Sequence, residues 1–511
     1  MRMNNSPVII GVGEDFELTP SDLSSARSSV ALAADAGVAA IDDAGGARVR
    51  DAIDALVAVR TYPDSTPFWP HAVTLVKNTP RAIARRIGVS PARAFYESVG
   101  GQSPQKLVGE FAARLAKGEF KAVLIAGADA IATEKAAQRA GVTLDWAEEA
   151  DGEIEDRALG VDGLLSAHEI ANGLVEIGAI YALFENARRA RLGLGRDAYA
   201  QAMGALFEPF AAIAAATKGA IDKRALSAGE IAAASVENPM LFDPYRKTMI
   251  AKDGVNQAAA LLMTTAGQAR ALGVPEEKWI YLRGLCDTVE KPIMDRPELD
   301  RSPAMRAAYQ TALKRAGVAA DAVSCLDLYS CFPIAVFEAR EAMAIATGDQ
   351  RALTMIGGLP FFGGPGNNYS MHAISALVRR LRSDRHGFGV VGANGGFLTK
   401  HSVGVYSAKA PAAGWAPEED AVLQADLDNA PNADWTANPE GAATIETYTI
   451  TWRKSGPVRA HVIGVLSSTG GRFLASTAMG DQSTLGQMAA DDPLGAKITV
   501  SAADQGSHFS L

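Results

Sequence analysis

GGQSPQKLVGEFAARLAKGEFKAVLIAGADAIAT, residues 100–133, passes from a glycine pair through an amphipathic helix into an apolar strand. Ser103 and Pro104 read as a helix start, with the hydroxyl capping a free amide and the proline at the first helical position. Leu107, Val108, Phe111, Ala112 and Leu115 repeat on one face, and Gly118 closes the helix. The run 121–130 is apolar almost throughout, as a strand buried between two layers of helices is. Turns of this shape often hold a nucleophile at the helix tip. Here the tip offers only Gly100, Gly101, Gln102 and Ser103.

The same order returns late in the chain. GGLPFFGGPGNNYSMHAISALVRRLRSDRHGFGVVGANGG, residues 357–396, reads as glycine-rich loop, amphipathic helix, apolar strand and glycine turn. Two such units predict duplicated α/β halves. Around them, residues 8–13 form an apolar strand, Ser28 to Ala44 a long alanine-rich helix, and residues 53–62 and 94–99 further strands. Between 130 and 240 strand signals vanish and Ala/Glu/Arg-rich helices take over, so this region reads as an insertion over the α/β core. From Ala410 the texture changes to a Pro-, Ala- and Asp-rich linker over 410–435. Half-exposed strands follow at 444–453, 458–466, 472–479 and 496–502, with turn signals at 454–457 and 468–471. They predict a small all-β module, a five-stranded barrel. The boundaries drawn from these shifts are 1–129, 130–245, 246–410 and 411–511.

At 511 residues, 48% hydrophobic and 21% charged, the chain is a multidomain globular protein. A net charge of −9 argues against nucleic acid as the main partner. The N-terminal stretch has no signal-peptide pattern and no run is long and apolar enough to span a membrane. The cysteines, Cys286, Cys325 and Cys331, form no CxxC pair, so a cytoplasmic protein is expected. His71, His168, His386, His461 and His508 show no metal-ligand spacing, and no metal site or cofactor is expected. The run 363–368, GGPGNN, lacks both the Lys-Ser/Thr of a P-loop and the spacing of a dinucleotide fingerprint.

Four stretches in this order resemble the thiolase superfamily: residues 100–133, NQAAALLM at 256–263, DLYSCFP at 327–333 and GGPGNNYSMHAISALVRRLR at 363–382. The tail is similar to the extra module of the thiolase-like proteins called type 1, often labelled acetyl-CoA acetyltransferase and related to sterol-carrier-protein thiolases. The resemblance implies a duplicated five-layer α/β/α/β/α core with a helical insertion, plus an oligonucleotide-binding-like (OB-like) β-module. It also implies acyl-CoA or CoA as ligand, a place in lipid metabolism, and a homodimer or a thiolase-fold partner.

Carried over residue by residue, the family's chemistry finds few of its parts. The nucleophile position falls on Gly101, or on Gly100 if the loop shifts by one. The Asn or His of the third motif becomes Tyr329, followed by Ser330 and Cys331. The catalytic histidine position falls on Ser370, two residues before His372, and the second cysteine position lies near Ala393 and Asn394. The candidates are therefore His372, Tyr329 and Cys331 for catalysis. Gly100, Gly101, Ser103, Asn367, Asn368, Ser370 and His401, beside Lys400, are the candidates for holding a thioester oxygen or phosphate. Each also has a plainer reading: Gly100 and Gly101 as a tight turn, Ser103 as a cap, Cys331 as a small buried hydrophobe, His401 as a solvent-facing residue. Three functions follow as expectations. The first is an acyl-CoA acyltransferase using chemistry other than a cysteine nucleophile; the second is an inactive CoA-ester-binding or partner subunit; the third is a thioester hydrolase.

Overall fold

The computed structural model describes residues 4–412, 414–415 and 420–511. The first half contains β1 (Pro7–Phe16), α1 (Ser29–Ala44), β2 (Ile53–Ala58), β3 (Arg93–Tyr96), α2 (Ser103–Ala116) and β4 (Ala122–Ala130). The insertion carries two long helices, α3 (Ile177–Arg191) and α4 (Arg196–Ala216). After it, β5 (Asn256–Thr265) returns to pair antiparallel with both β1 and β4. Strand pairing thus places 256–265 in the first half, and the second repeat begins later than the boundary drawn at 246.

That repeat holds β6 (Ile280–Val289), α5 (Pro303–Ala316), β7 (Val323–Leu328), α6 (Tyr369–Ser383), β8 (Phe388–Gly395) and β9 (Lys400–Ser407). Strand order in the first half is β1-β5-β4-β2-β3, and in the second β6-β9-β8-β7, with the same relative directions. The predicted duplication is therefore visible in topology. β1 and β6 meet antiparallel at Val8–Tyr281 and Ile9–Ile280, joining the halves into one ten-stranded sheet. Both halves press a helix onto the edge of this junction by the same device. A side chain at Gly11 would place its Cβ 2.0 Å from the Ala40 carbonyl oxygen in α1, and one at Gly284 would meet the Ala312 oxygen in α5 at 2.1 Å. At the far edge, Glu155–Asp156 pairs parallel with β3. Arg157 anchors this short strand, reaching Glu97 and Glu110 at 2.6 Å.

α2 and α6, the helices after the two glycine loops, each reach across to the other half. Gln105 of α2 accepts from the Tyr406 hydroxyl on β9 at 2.6 Å, and Arg382 of α6 bonds Asp43 of α1 at 2.6 Å and the Ile10 carbonyl at 2.9 Å. The apolar face predicted for α2 is buried: Leu107, Val108, Phe111 and Ala112 are wholly inaccessible.

The tail forms β10 (Gly441–Arg453), β11 (Gly456–Leu466), β12 (Arg472–Ser476), α8 (Gln482–Ala490), β13 (Lys497–Ala502) and β14 (Ser507–Ser510), with α7 (Ala421–Asn429) preceding it. Pairing runs β10-β11-β12-β14-β13 and back to β10, with β12 and β14 parallel and α8 between β12 and β13. This is a closed five-stranded barrel with the connectivity of an OB-fold. Bulges between Ile445 and Thr447 and between Thr451 and Trp452 bend β10 enough to pair along both edges. The sequence reading missed α8 and β14. It also took 410–435 as linker, of which 413 and 416–419 lie outside the described residues. α7 docks there instead: Gln424 exchanges hydrogen bonds with the Val289 backbone at 2.8 and 2.9 Å.

Barrel and insertion are tied closely. Phe242 pairs with Thr451 of β10, and the Asn186 amide of α3 donates to the carbonyls of Asp243 and Tyr448 at 3.0 and 2.9 Å. Arg189, wholly buried, reaches Asp492 beyond α8 at 2.5 Å. Among the described residues no helix is long and apolar enough to cross a membrane.

Candidate active site at the glycine turn

The helix tip is built differently from the sequence reading. α2 begins at Ser103, with Gln102 in the capping position, so Pro104 is its second residue. Ser103 does not cap: its hydroxyl donates to the Ser98 carbonyl at 3.0 Å, bracing the loop from behind. Gly100 is buried and its amide is already occupied, donating to Asn367 Oδ1 at 2.9 Å. The other end of that side chain donates to Arg60 O and Ser65 Oγ, both at 2.9 Å. Asn367 thus clamps the two loops together, and the Gly100 amide does not stand open as an oxyanion donor. Ser370, at the counted histidine position, donates to the Gly101 carbonyl at 3.1 Å.

The nucleophile position itself is full. A Cβ on Gly101 would lie 2.0 Å from Tyr329 Oη, 2.5 Å from its Cζ and 2.6 Å from the Asn394 carbonyl oxygen. Tyr329 is fixed at both ends. Its amide donates to Gly392 O at 3.2 Å, and its ring meets Tyr369 edge-on at 5.6 Å. Burial raises its pKa, so the phenol is neutral and can donate but is no base.

Asn394, near the counted second-cysteine position, is the hub that the sequence reading undervalued. Its Oδ1 accepts from the Tyr181 hydroxyl of α3 at 3.2 Å, and that tyrosine stacks on Phe332 with centroids 4.3 Å apart. Cys331 approaches the same Oδ1 at 3.9 Å, and burial pushes its thiol up to about 12. It is therefore no thiolate at neutral pH, which fits the buried-hydrophobe reading and not the nucleophile. Nothing in the motifs pointed to Tyr181, because it lies in the insertion, far along the chain from every loop it touches.

The remaining candidates divide. His401 does not face solvent or a phosphate. It is buried, with Nε2 3.2 Å from both Ser302 Oγ and Leu398 O, and its Nδ1 has no partner. Burial lowers its pKa to about 4, leaving it neutral. Together with Tyr329 and Asn394 it lines a void of about 10 Å³, room for no more than a water. Its neighbour Lys400 reaches the carbonyls of Gly160 and Val99, at 2.5 and 3.5 Å. Asn368 donates to Gly127 O at 2.7 Å, bracing β4.

His372 is not brought to the turn. It stands two residues after Ser370 on α6, about 200° around the helix, and Ser370 is the one that points to Gly101. His372 Nδ1 instead meets Glu14 of β1 at 2.6 Å, between the rings of Phe16 and Phe362 at 5.5 and 5.2 Å. Burial pushes the Glu14 carboxyl up, but His372 and Arg379 outweigh it and hold the pKa below the usual range.

The structure thus gathers Gly100, Gly101, Tyr329, Cys331, Asn367, Ser370 and His401 around one turn, with Ser103 bracing it from behind, and leaves Asn368 against β4 and His372 against Glu14. The turn is packed tightly and carries neutral hydrogen-bonding groups.

No curated protein matches the chain. A family model, the thiolase-like protein type 1 additional C-terminal domain, matches residues 422–505, which span α8 and most of the barrel. Among solved structures, a monomeric SCP2-thiolase-like protein type 1 from Mycobacterium smegmatis is 39% identical, covers 100% of both chains and superposes with a TM-score of 0.84. At 18% identity, the Ltp2–ChsH2(DUF35) aldolase covers 80% of this chain and 99% of its own, with a TM-score of 0.59. An acetyl-CoA acetyltransferase from Syntrophomonas wolfei, also 18% identical, covers 79% and 99% with a TM-score of 0.53. The last two share the fold alone. The likeness over the full length to the mycobacterial protein, together with the matching tail, shows that this chain belongs to the thiolase-like proteins of type 1.

Proposed function

We propose that this chain holds a CoA thioester, or a partner of thiolase fold, without taking an acyl group onto itself at the glycine turn. The observation that carries this is the placement of Tyr329 Oη where a side chain on Gly101 would have to be. An acyl-enzyme needs a nucleophile at that point and amide groups free to receive the thioester oxygen. Tyr329 takes the first and Asn367 occupies the Gly100 amide. This favours the binding or partner reading over the acyltransferase, and over the thioester hydrolase. The fold shared with the S. wolfei acetyl-CoA acetyltransferase is what brings CoA thioesters into consideration, and the Ltp2–ChsH2(DUF35) aldolase is a thiolase-fold chain named with a second protein.

Calorimetry with acetyl-CoA and decanoyl-CoA, paired with intact-mass analysis of the same samples, tests the reading. Binding without a mass adduct and without release of free CoA is expected. An acyl adduct, or steady CoA release with or without an acceptor, would restore an enzymatic role. Absence of binding by either ester removes CoA from the proposal.

A further inference from the structure

A groove of about 700 Å³ opens between the barrel and the insertion, remote in sequence from the glycine turn. Its size lies within the roughly 300–1,000 Å³ range of small-molecule clefts. One wall is residues 170–173 of the insertion, the other is the start of β11, the segment after β12 and the β13–β14 turn. The floor is rigid. Asn172, 1% exposed, accepts from the Ser507 amide at 2.9 Å through Oδ1, and its carbonyl lies 3.2 Å from His461 Nε2.

Apolar side chains crowd the mouth without a partner: Ile170 is 56% exposed, Val458 42% and Met479 102%. Set into the wall is the guanidinium of Arg459. Its Nη2 donates to Asn172 O at 2.8 Å and Ser476 Oγ at 3.0 Å, while Nε has no partner. No carboxylate among the described residues offsets its charge, and burial alone acts on it, lowering its pKa. Gly173, at φ +67°, makes room for it: a Cβ there would lie 2.2 Å from Nη1. Arg459 is half-buried with an inaccessible, unpartnered Nε, and an anion at its open side would complete it. Asp504 and His508 also line the groove; Asp504 is exposed and contributes nothing to the state of Arg459.

We infer that this groove is a binding site for an amphipathic monocarboxylate of the medium-chain fatty acid class. The carboxylate would meet Arg459 and the aliphatic chain would cover Ile170, Val458 and Met479. One guanidinium matches one planar carboxylate. A nucleic acid is disfavoured, because no Phe, Tyr or Trp lines the groove for base stacking.

Calorimetry on the full chain with decanoate, below micelle-forming concentration, is the test, with acetate and decyltrimethylammonium as probes of head and tail. The expected result is one decanoate per chain, acetate weaker by at least about tenfold, and no binding of the cation. Arg459→Gln should weaken decanoate by about tenfold or more. Met479→Glu should weaken it as well, with an unchanged Tm, because Met479 is fully exposed. The Met479 variant keeps the test valid if Arg459→Gln loosens the barrel. Failure of decanoate to bind, equal binding by both variants, equal binding of acetate, or equal binding of the cationic surfactant would each overturn the inference.

Discussion

Gly101→Ala adds one methyl group to the protein and should cost it far more than a methyl usually does. Gly101 is not among the glycines with positive φ, so its backbone suits alanine and the whole cost is steric. The new Cβ would stand 2.0 Å from Tyr329 Oη, 2.5 Å from Cζ and 2.6 Å from the Asn394 carbonyl, all well inside van der Waals contact. Two of these atoms belong to a ring held by Tyr369, and the third is backbone in β8, so none gives way cheaply. Overpacking of this kind costs about 1–3 kcal/mol. The upper part of that range is expected, because a main-chain strand must move, and for a chain of this length Tm should fall by about 2–3 °C. Scanning calorimetry on a cycle of Gly101→Ala, Tyr329→Ala and the pair isolates the contact. Tyr329→Ala removes two of the three clashing atoms, so the pair should be more stable than the sum of the singles by about 1–2 kcal/mol. If Gly101→Ala is neutral, or the cycle is additive within about 0.5 kcal/mol, then Tyr329 does not fill the nucleophile position. The same logic applies to function: Gly101→Cys alone should yield no acyl adduct with acetyl-CoA.

Asn367→Leu leaves the Gly100 amide and the Arg60 carbonyl without their partner and should cost about 1–3 kcal/mol by thermal unfolding; an unchanged Tm would mean that the clamp is dispensable. Native Cys331, with its thiol pushed up to about 12, should resist iodoacetamide at pH 8 and react once urea is added, read by peptide mass mapping. His461 is buried with its pKa lowered to about 3, so between pH 6.5 and 3 the unfolded chain takes up a proton that the folded chain refuses. Stability from this group is therefore intact above pH 6.5 and lost as the pH falls. The advantage of wild type over His461→Gln should shrink by about 2–3 kcal/mol between pH 7.5 and 4.5, measured by urea unfolding. The chain should be monomeric by light scattering, since Glu155–Asp156 covers the β3 edge, and Arg157→Ala should promote self-association by uncovering it.

The duplication was legible because both copies carry it locally: glycine loop, apolar helix face and apolar strand follow one another without interruption. The place of β5 was not, since NQAAALLM reads as an apolar strand wherever it pairs, and only the antiparallel partners β1 and β4 assign it to the first half. In the barrel, β14 is four residues long and half of them face outward, too short for alternation to be visible. Within the site, counting along motifs picked out Gly101, Tyr329 and Ser370, which lie against one another in the fold, since each follows a fixed glycine or strand end. It failed for His372, where two residues on a helix turn a side chain to the opposite face. It gave no warning of Tyr181, and it named Asn367 as a holder of a thioester oxygen or phosphate, not as the clamp that joins Gly100 to Arg60 and Ser65 across hundreds of residues.

The seam between insertion and barrel also dictates an order of events on the ribosome. Arg189 and Asn186 emerge in the middle of synthesis, but two of their partners, the Asp492 carboxylate and the Tyr448 carbonyl, are translated near the end. Until then Arg189 has only Asn186 Oδ1 and the Leu194 carbonyl, and Asn186 only the Asp243 carbonyl, so the buried cation lacks its carboxylate. The central helices therefore cannot settle as a finished unit during elongation. A message truncated before residue 441 would leave the α/β core with Arg189 buried and without its carboxylate partner.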